Sequence, residues 1–120
     1  MEINCLKMLR KINRLKKTKD IERVFKKGKG LKEDFLILKT LKNDLNKTRF
    51  SFIVSQKVSK KATVRNKIKR RLRDLVKRKL NIIRKHTDNL LIAIPGLEIK
   101  NFKEIELTVE KLFKRAGLIK

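Results

Sequence analysis

Residues 49–79 read RFSFIVSQKVSKKATVRNKIKRRLRDLVKRK. From Arg49 to Ser55 the side chains alternate. Phe50, Phe52 and Val54 fall on one side, and Ser51, Ile53 and Ser55 on the other, which is the period of a strand. From Ala62 onward the period changes. Val64, Ile68, Leu72, Leu75, Val76 and Ile83 form one stripe of a helix running from Ala62 to about Arg84. A strand followed by an amphipathic helix sets the class as mixed α and β. The same stretch holds the charge. Between Lys57 and Lys79, twelve of 23 residues are Lys or Arg, and Asp74 is the one acid. A positive face is thus carried on a helix that docks on a core, and a rigid face of one sign calls for a polyanion of fixed geometry.

Toward the C-terminus, Asn89–Ile94 (NLLIAI) is short, apolar and ended by Pro95-Gly96, so it reads as a central strand. A last helix is predicted from Asn101 to about Ala116, with Phe102, Ile105, Val109, Leu112 and Phe113 inward and Gly117 as its stop. Toward the N-terminus, Asp34–Leu41 (DFLILKTL) reads as a strand that buries both faces or leaves one for a ligand. Lys42–Thr48 is a polar turn, and the two strands around it are predicted to pair as an antiparallel hairpin. Thr18–Lys27 reads as a short helix, capped by Thr18, with Ile21, Val24 and Phe25 on one face and Gly28 at its end. One more short strand is expected near Lys57. The order α-β-β-(β)-α-β-α suggests an α+β fold, a two-layer sandwich like those of ribosomal proteins.

Length supports one domain, taken as residues 13–120, with residues 1–12 as a mobile basic arm. Lys and Arg outnumber Asp and Glu 36 to 12 in 120 residues, a formal charge of +24. Such an excess self-repels until a partner neutralises it, and nucleic acid is the first candidate. No stretch approaches the roughly 20 apolar residues that span a bilayer, so no membrane role is expected. Cys5 is the one cysteine. With no partner for an internal disulfide, a cytoplasmic protein is inferred.

On the basic helix Arg65, Lys69, Arg73 and Lys77 stand four apart and form a row, widened by Asn66 and Arg70. One cation per turn can follow a phosphate backbone, and Arg adds forked donors. A merely solvated face would mix Glu with Lys at four-residue spacing, and this one does not. Catalytic constellations are missing. His86 is the one histidine and reads as a surface residue near a helix end. Glu98, Glu104, Glu106 and Glu110 sit among lysines. No catalytic or metal-ligating residue is assigned.

ATVRNKIKRRLRD (62–74) closely resembles the signature of the bacterial ribonuclease P protein component, an Arg-Asn-Arg core followed by Ile-Lys-Arg-x-x-Arg. Here it stands as Arg65-Asn66-Lys67, Ile68-Lys69-Arg70 and Arg73. RLKKTKDIERVFKKGK (14–29), RFSFIVSQKVSKKA (49–62) and LFKRAGL (112–118) match in order, so the resemblance covers roughly residues 13–118. The chain departs from the pattern at Lys67, at Gln56 and Ser59 (usually Lys and Gly), and at Ile21 and Leu38 (usually aromatic).

The resemblance implies a noncatalytic subunit, one protein per catalytic RNA, that aids removal of the 5′ leader of precursor tRNA. Magnesium would be held mainly by RNA and substrate. Arg65, Asn66, Lys67, Lys69, Arg70 and Arg73 would contact the RNA, with Lys57, Lys60 and Lys61 reaching RNA or leader. Ile21, Phe25, Phe35, Leu38, Ser55 and Lys57 would line the leader cleft between the first helix and the sheet. Arg14, Lys16 and Lys17 are further phosphate candidates. Composition alone leaves open a ribosome-associated RNA-binding protein. The strands argue against a helical DNA-binding protein, and the missing acid cluster argues against a self-sufficient nuclease.

Overall fold

The computed structural model describes residues 13–119, so the expected arm at 1–12, with Cys5, lies outside them. The elements are α1 (Thr18–Lys27), β1 (Lys29–Glu33), β2 (Leu36–Lys42), β3 (Arg49–Val54), α2 (Ala62–Lys79), β4 (Thr87–Ala93) and α3 (Phe102–Arg115). The sheet order is β1-β2-β4-β3. β3 runs parallel to β4, and the other neighbours are antiparallel.

The α+β class holds, but the predicted hairpin of β2 and β3 does not form. β4 inserts between them. Leu90, Leu91 and Ala93 have no exposed surface, and a strand buried on both faces needs a neighbour on each side. β3, with its clean alternation, suits the edge. The loop between β2 and β3 therefore crosses two strand spacings, about 10 Å, instead of closing a tight turn. The extra strand lies at Lys29–Glu33 rather than near Lys57, where Val58 N–H donates to Ser55 O at 2.9 Å in a turn. Its sequence, KGLKE, hides its nature, because an edge strand is held by main-chain bonds and only Leu31 packs on the core.

Register sorts the side chains by face. Leu31, Leu38, Leu91 and Phe52 lie in one line across the sheet and face α2 and α3. Phe50, Phe113, Leu72 and Leu75 fill the same core. Ile37, Ile92 and Ile53 make the matching line on the opposite face. α1 covers only part of that face, through Val24 packed with Leu15 and Leu90. The two-layer core is thus joined by a partial third layer.

Helix ends differ from expectation in three places. Lys17, not Thr18, is the N-cap of α1, without a side-chain bond. α2 stops at Lys79 and passes into a single 3-10 turn, Leu80–Ile82, before buried Ile83. α3 starts one residue later than predicted, because Asn101 is its cap. Asn101 Oδ1 accepts from Glu104 N–H at 2.8 Å, and Glu104 Oε1 accepts from Asn101 N–H at 3.2 Å, satisfying two orphan donors at once. Gly28 ends α1 by closeness rather than by a left-handed turn. A Cβ there would collide with Val24 O, and the Gly28 N–H bonds that oxygen at 2.7 Å.

Candidate nucleic-acid interface

A helix turns 100° per residue, so the signature residues of α2 cannot all face one way. Arg65, Lys69 and Arg73 are half-buried along the flank beside β3, and Asn66 and Arg70 are exposed on the outer face. Lys67 leaves this row. It lines a recess on the other flank with Arg71 and Lys100, over Val64, Ile68 and Leu97. The single face expected from Arg65 through Arg73 is therefore two flanks of one helix. Lys77 also drops out. Its ammonium lies 3.6 Å from Asp74, which also pairs with Arg78 at 3.1 Å, so the acid-free stretch ends at Arg73.

Tertiary structure adds cations from outside the helix. Arg14 bridges to Phe50 in parallel register, and Leu15 N–H donates to Phe50 O at 2.8 Å. This short segment covers the outer edge of β3, a protected position for an edge that would otherwise offer free donors. It also places Arg14 and Lys16 in one groove with Lys69 and Arg73. Burial, with the neighbouring charges of Arg14 and Arg70, pushes the Arg73 guanidinium below its ordinary pKa. Such crowding of like charge is unfavourable until an anion arrives. Lys17 is exposed just before α1 and does not line this groove.

The approach to α2 is shaped by two serines. Ser55 Oγ accepts from Lys57 N–H at 3.1 Å, and Ser59 Oγ accepts from Lys61 N–H at 3.2 Å. Arg65 Nη1 donates to Ser59 O at 2.9 Å. These bonds fix the turns that leave Lys57, Lys60 and Lys61 exposed. α2 has no acid in its first turn and no side-chain cap, so its positive end is not offset locally.

The second concave surface lies between α1 and the open half of the sheet. Its floor is the half-buried line Ile37–Ile92–Ile53, and Ile21 and Phe25 stand on the α1 side. Phe25 is 52% exposed, so it is not a core residue. Lys39 lies 4.3 Å above its ring and donates to its carbonyl oxygen at 2.8 Å. Two predicted cleft residues are elsewhere. Leu38 has no exposed surface and Phe35 has 5%, and both belong to the core under α2 and α3. The unbroken apolar run of β2 hides which residues face which layer, and the register gives Ile37 and Lys39 to the cleft. Ile53 was legible as the apolar residue on the serine side of β3. Ser55 is half-buried at the end of that strand, followed by exposed Lys57.

What holds α1 over the sheet is an ion network. Asp88, fully buried at the start of β4, accepts from Arg49 Nε at 2.8 Å and Nη2 at 2.6 Å, and from Asn43 Nδ2 at 2.7 Å. From α1, Arg23 reaches Asp88 at 3.5 Å, and Asp20 lies 3.6 Å from Arg49. Burial alone would raise the Asp88 carboxyl. The hydrogen bonds from Arg49 and Asn43, with the charges of Arg49 and Arg23, outweigh it and hold the carboxyl below its ordinary pKa. The bond to Asp88 in turn raises Arg49, against its own burial. Nothing in the sequence pattern singled out this pair, which is 39 residues apart. Among the described residues no three His, Cys, Asp or Glu side chains come together as metal ligands, and no helix is long and apolar enough to cross a membrane.

The family model described as Ribonuclease P matches residues 9–117. The ribonuclease P protein component of Syntrophomonas wolfei is 35% identical, covering 92% of this chain and 92% of the relative. That of Synechocystis is 36% identical over 92% of this chain and 90% of its own length. Among solved structures, a Staphylococcus aureus RNase P protein mutant with defective mRNA degradation activity superposes with a TM-score of 0.84 at 29% identity, covering 91% of this chain and 92% of that one. The RNase P protein from Thermotoga maritima gives 0.78 at 30% identity, over 85% and 96%.

Proposed function

The chain belongs to the ribonuclease P protein family, and from that premise we propose how its surfaces divide the work. It is the accessory protein subunit of a tRNA-processing endoribonuclease ribonucleoprotein, with an RNA subunit as its partner. This assignment replaces the ribosome-associated alternative that composition left open.

One observation carries the division of labour. The flank of α2 that carries Lys69 and Arg73 meets Arg14 and Lys16 across a single groove, and none of the described residues lining that groove is acidic. A phosphate backbone laid there would neutralise several charges at once and release counterions. Arg65 and Arg70 add forked donors for phosphate oxygens or base edges, and Asn66 adds a donor and an acceptor for a 2′-hydroxyl. Lys57, Lys60 and Lys61 extend the same charge around the start of the helix.

The cleft beside α1 suits a different ligand. An isoleucine floor, an exposed phenylalanine and a lysine at the rim can take an unpaired strand, with bases against apolar surface and phosphates toward Lys39 and Lys57. The single-stranded 5′ leader of precursor tRNA fits this chemistry. The residues are Ile21, Phe25, Ile37, Lys39, Ile53, Ile92, Ser55 and Lys57.

Among the described residues no three His, Cys, Asp or Glu side chains gather as metal ligands. In this reading the metal belongs to RNA and substrate, and the protein's part is to position the leader and lower the electrostatic cost of bringing two polyanions together. One protein per RNA is the expected stoichiometry. The test combines this protein with its own catalytic RNA and a precursor tRNA at low magnesium. Enhanced cleavage at the mature 5′ end over RNA alone is expected, and no enhancement rejects the reading.

A further inference from the structure

At the end of the sheet farthest from the start of α2, Lys42 closes β2, and Arg84, Lys85 and His86 form the approach to β4. The four surround a concavity shared with Thr87, Gly117 and the apolar Leu41, Ala116 and Leu118, and no described acid lines it. All four side chains are exposed. Among the described residues none of them has an ion-pair or hydrogen-bond partner, unlike Arg23, Arg49, Lys79 and Arg115, each of which meets a carboxylate.

The cluster is held, not loosely gathered. Arg84 N–H donates to Leu118 O at 2.8 Å, His86 N–H to Lys47 O at 3.1 Å, and Asn43 N–H to His86 O at 2.8 Å. These bonds tie the approach to the C-terminal segment on one side and to the β2–β3 loop on the other. At Gly117, a Cβ would meet no heavy atom within 4 Å, so that wall is open to an incoming group. Cations fixed side by side without a counter-charge repel one another, and an anion in their midst removes that cost.

We infer that this concavity is a second phosphate-backbone site, formed by Lys42, Arg84 and Lys85 with His86 at its rim, which takes the phosphodiester of a folded RNA. The inference rests on the RNA-binding reading above. At 1.5 Å per residue α2 rises about 21 Å from Arg65 to Lys79 and about 9 Å from Arg73, and the concavity lies beyond that end. Even from Arg73 this exceeds one Debye length at physiological salt, about 8 Å. Screening therefore weakens the field of the basic helix at the far site, which makes its own contact. A protein with both sites holds two separate stretches of backbone and so fixes their relative placement.

Two RNAs carry this chemistry, the RNA subunit and the body of precursor tRNA. The test compares the full-length Lys42→Ala/Arg84→Ala/Lys85→Ala variant with a control of equal charge change on α3, Lys103→Ala/Lys111→Ala/Lys114→Ala. If the site takes the RNA subunit, the variant binds that RNA at least tenfold more weakly, and the salt slope shrinks by about 2 to 3. If it takes the tRNA body, subunit binding stays unchanged. The assembled enzyme then loses affinity for precursor tRNA, with single-turnover cleavage at saturation preserved. Either result supports the site, provided the control changes the same quantity by less than threefold. An equal effect from the control, or binding of both RNAs within twofold of wild type, overturns it. Arg65→Ala and Arg70→Ala measured alongside separate the two readings. If they weaken RNA binding while the triple variant does not, only the second site falls. If they too are silent, the proposed helix interface falls with it.

Discussion

Asp88 carries its charge with no exposed surface. It tolerates this because a bidentate Arg49, Asn43 and Arg23 converge on it. Removing one partner of such a pair leaves the other buried and uncompensated. Asp88→Ala is expected to destabilise the domain by about 3 kcal/mol in urea unfolding. The sign with pH follows from a carboxyl held low. The unfolded chain binds the proton first, near the ordinary value of about 3.9. The stabilisation is therefore complete above about pH 5 and is lost as pH falls toward the folded pKa. The stability gap between wild type and Asp88→Asn should accordingly narrow between pH 5 and pH 3, and a gap independent of pH would show that the ion network is not its source. Arg70 is exposed and acts on a ligand rather than on the fold, whereas Arg65 also holds the turn at Ser59. Alanine at either should weaken RNA binding by roughly 1 to 3 kcal/mol, with little change in melting temperature for Arg70→Ala and a small drop for Arg65→Ala. Lys67, on the other flank over the recess, should respond separately from these two.

α1 is the element on which the cleft depends. It meets the sheet through one fully buried side chain, Val24, and through the Arg23 and Asp20 ion pairs. Most of its remaining surface is solvated, so its seat is set more by charge and by the tight exit at Gly28 than by apolar area. Gly28→Ala places a Cβ against Val24 O and is expected to cost about 1 to 3 kcal/mol, measured by thermal unfolding. Phe25 tests the cleft more directly. At 52% exposure, Phe25→Ala should leave stability nearly unchanged. It should weaken binding of a precursor with a leader by about 1 to 3 kcal/mol, the scale of one base stacked on an aromatic ring. Binding of mature tRNA should not change. Equal losses for both RNAs would place Phe25 outside the leader path.

At the scale of the whole molecule, +24 is distributed unevenly. Acids pair at the α1 network, along the outer side of α2 and on α3, while no described acid lines the groove beside β3 or the concavity at the far end of the sheet. If roughly 6 to 8 phosphates are neutralised in the complex, log affinity for RNA should fall against log salt with a slope of about −4 to −7. Sulfate or phosphate should also raise the melting temperature of the free protein more than chloride at equal ionic strength, because a bound anion favours the state that gathers the cations. Equal melting curves in the two salts would mean that the folded protein holds no anion.

Sequence alone determined whatever depends on local period and composition. The alternation of RFSFIVS, the stripe from Val64 to Val76 and the acid-poor helix face each follow from neighbours a few residues apart. They gave the α+β class, the order of most elements and the polyanion partner. Tertiary structure decided what depends on who sits beside whom. β4 claimed the centre of the sheet because its apolar run needed cover on both sides. That placement separated β2 from β3, turned Leu38 inward and put Ile37, Ile53 and Ile92 on the cleft floor. The same packing brought Arg14 and Lys16 into one groove with Lys69 and Arg73, and Lys42 into one concavity with Arg84. Charges far apart in the chain are independent in sequence and become a site only when a shared sheet fixes the distance between them.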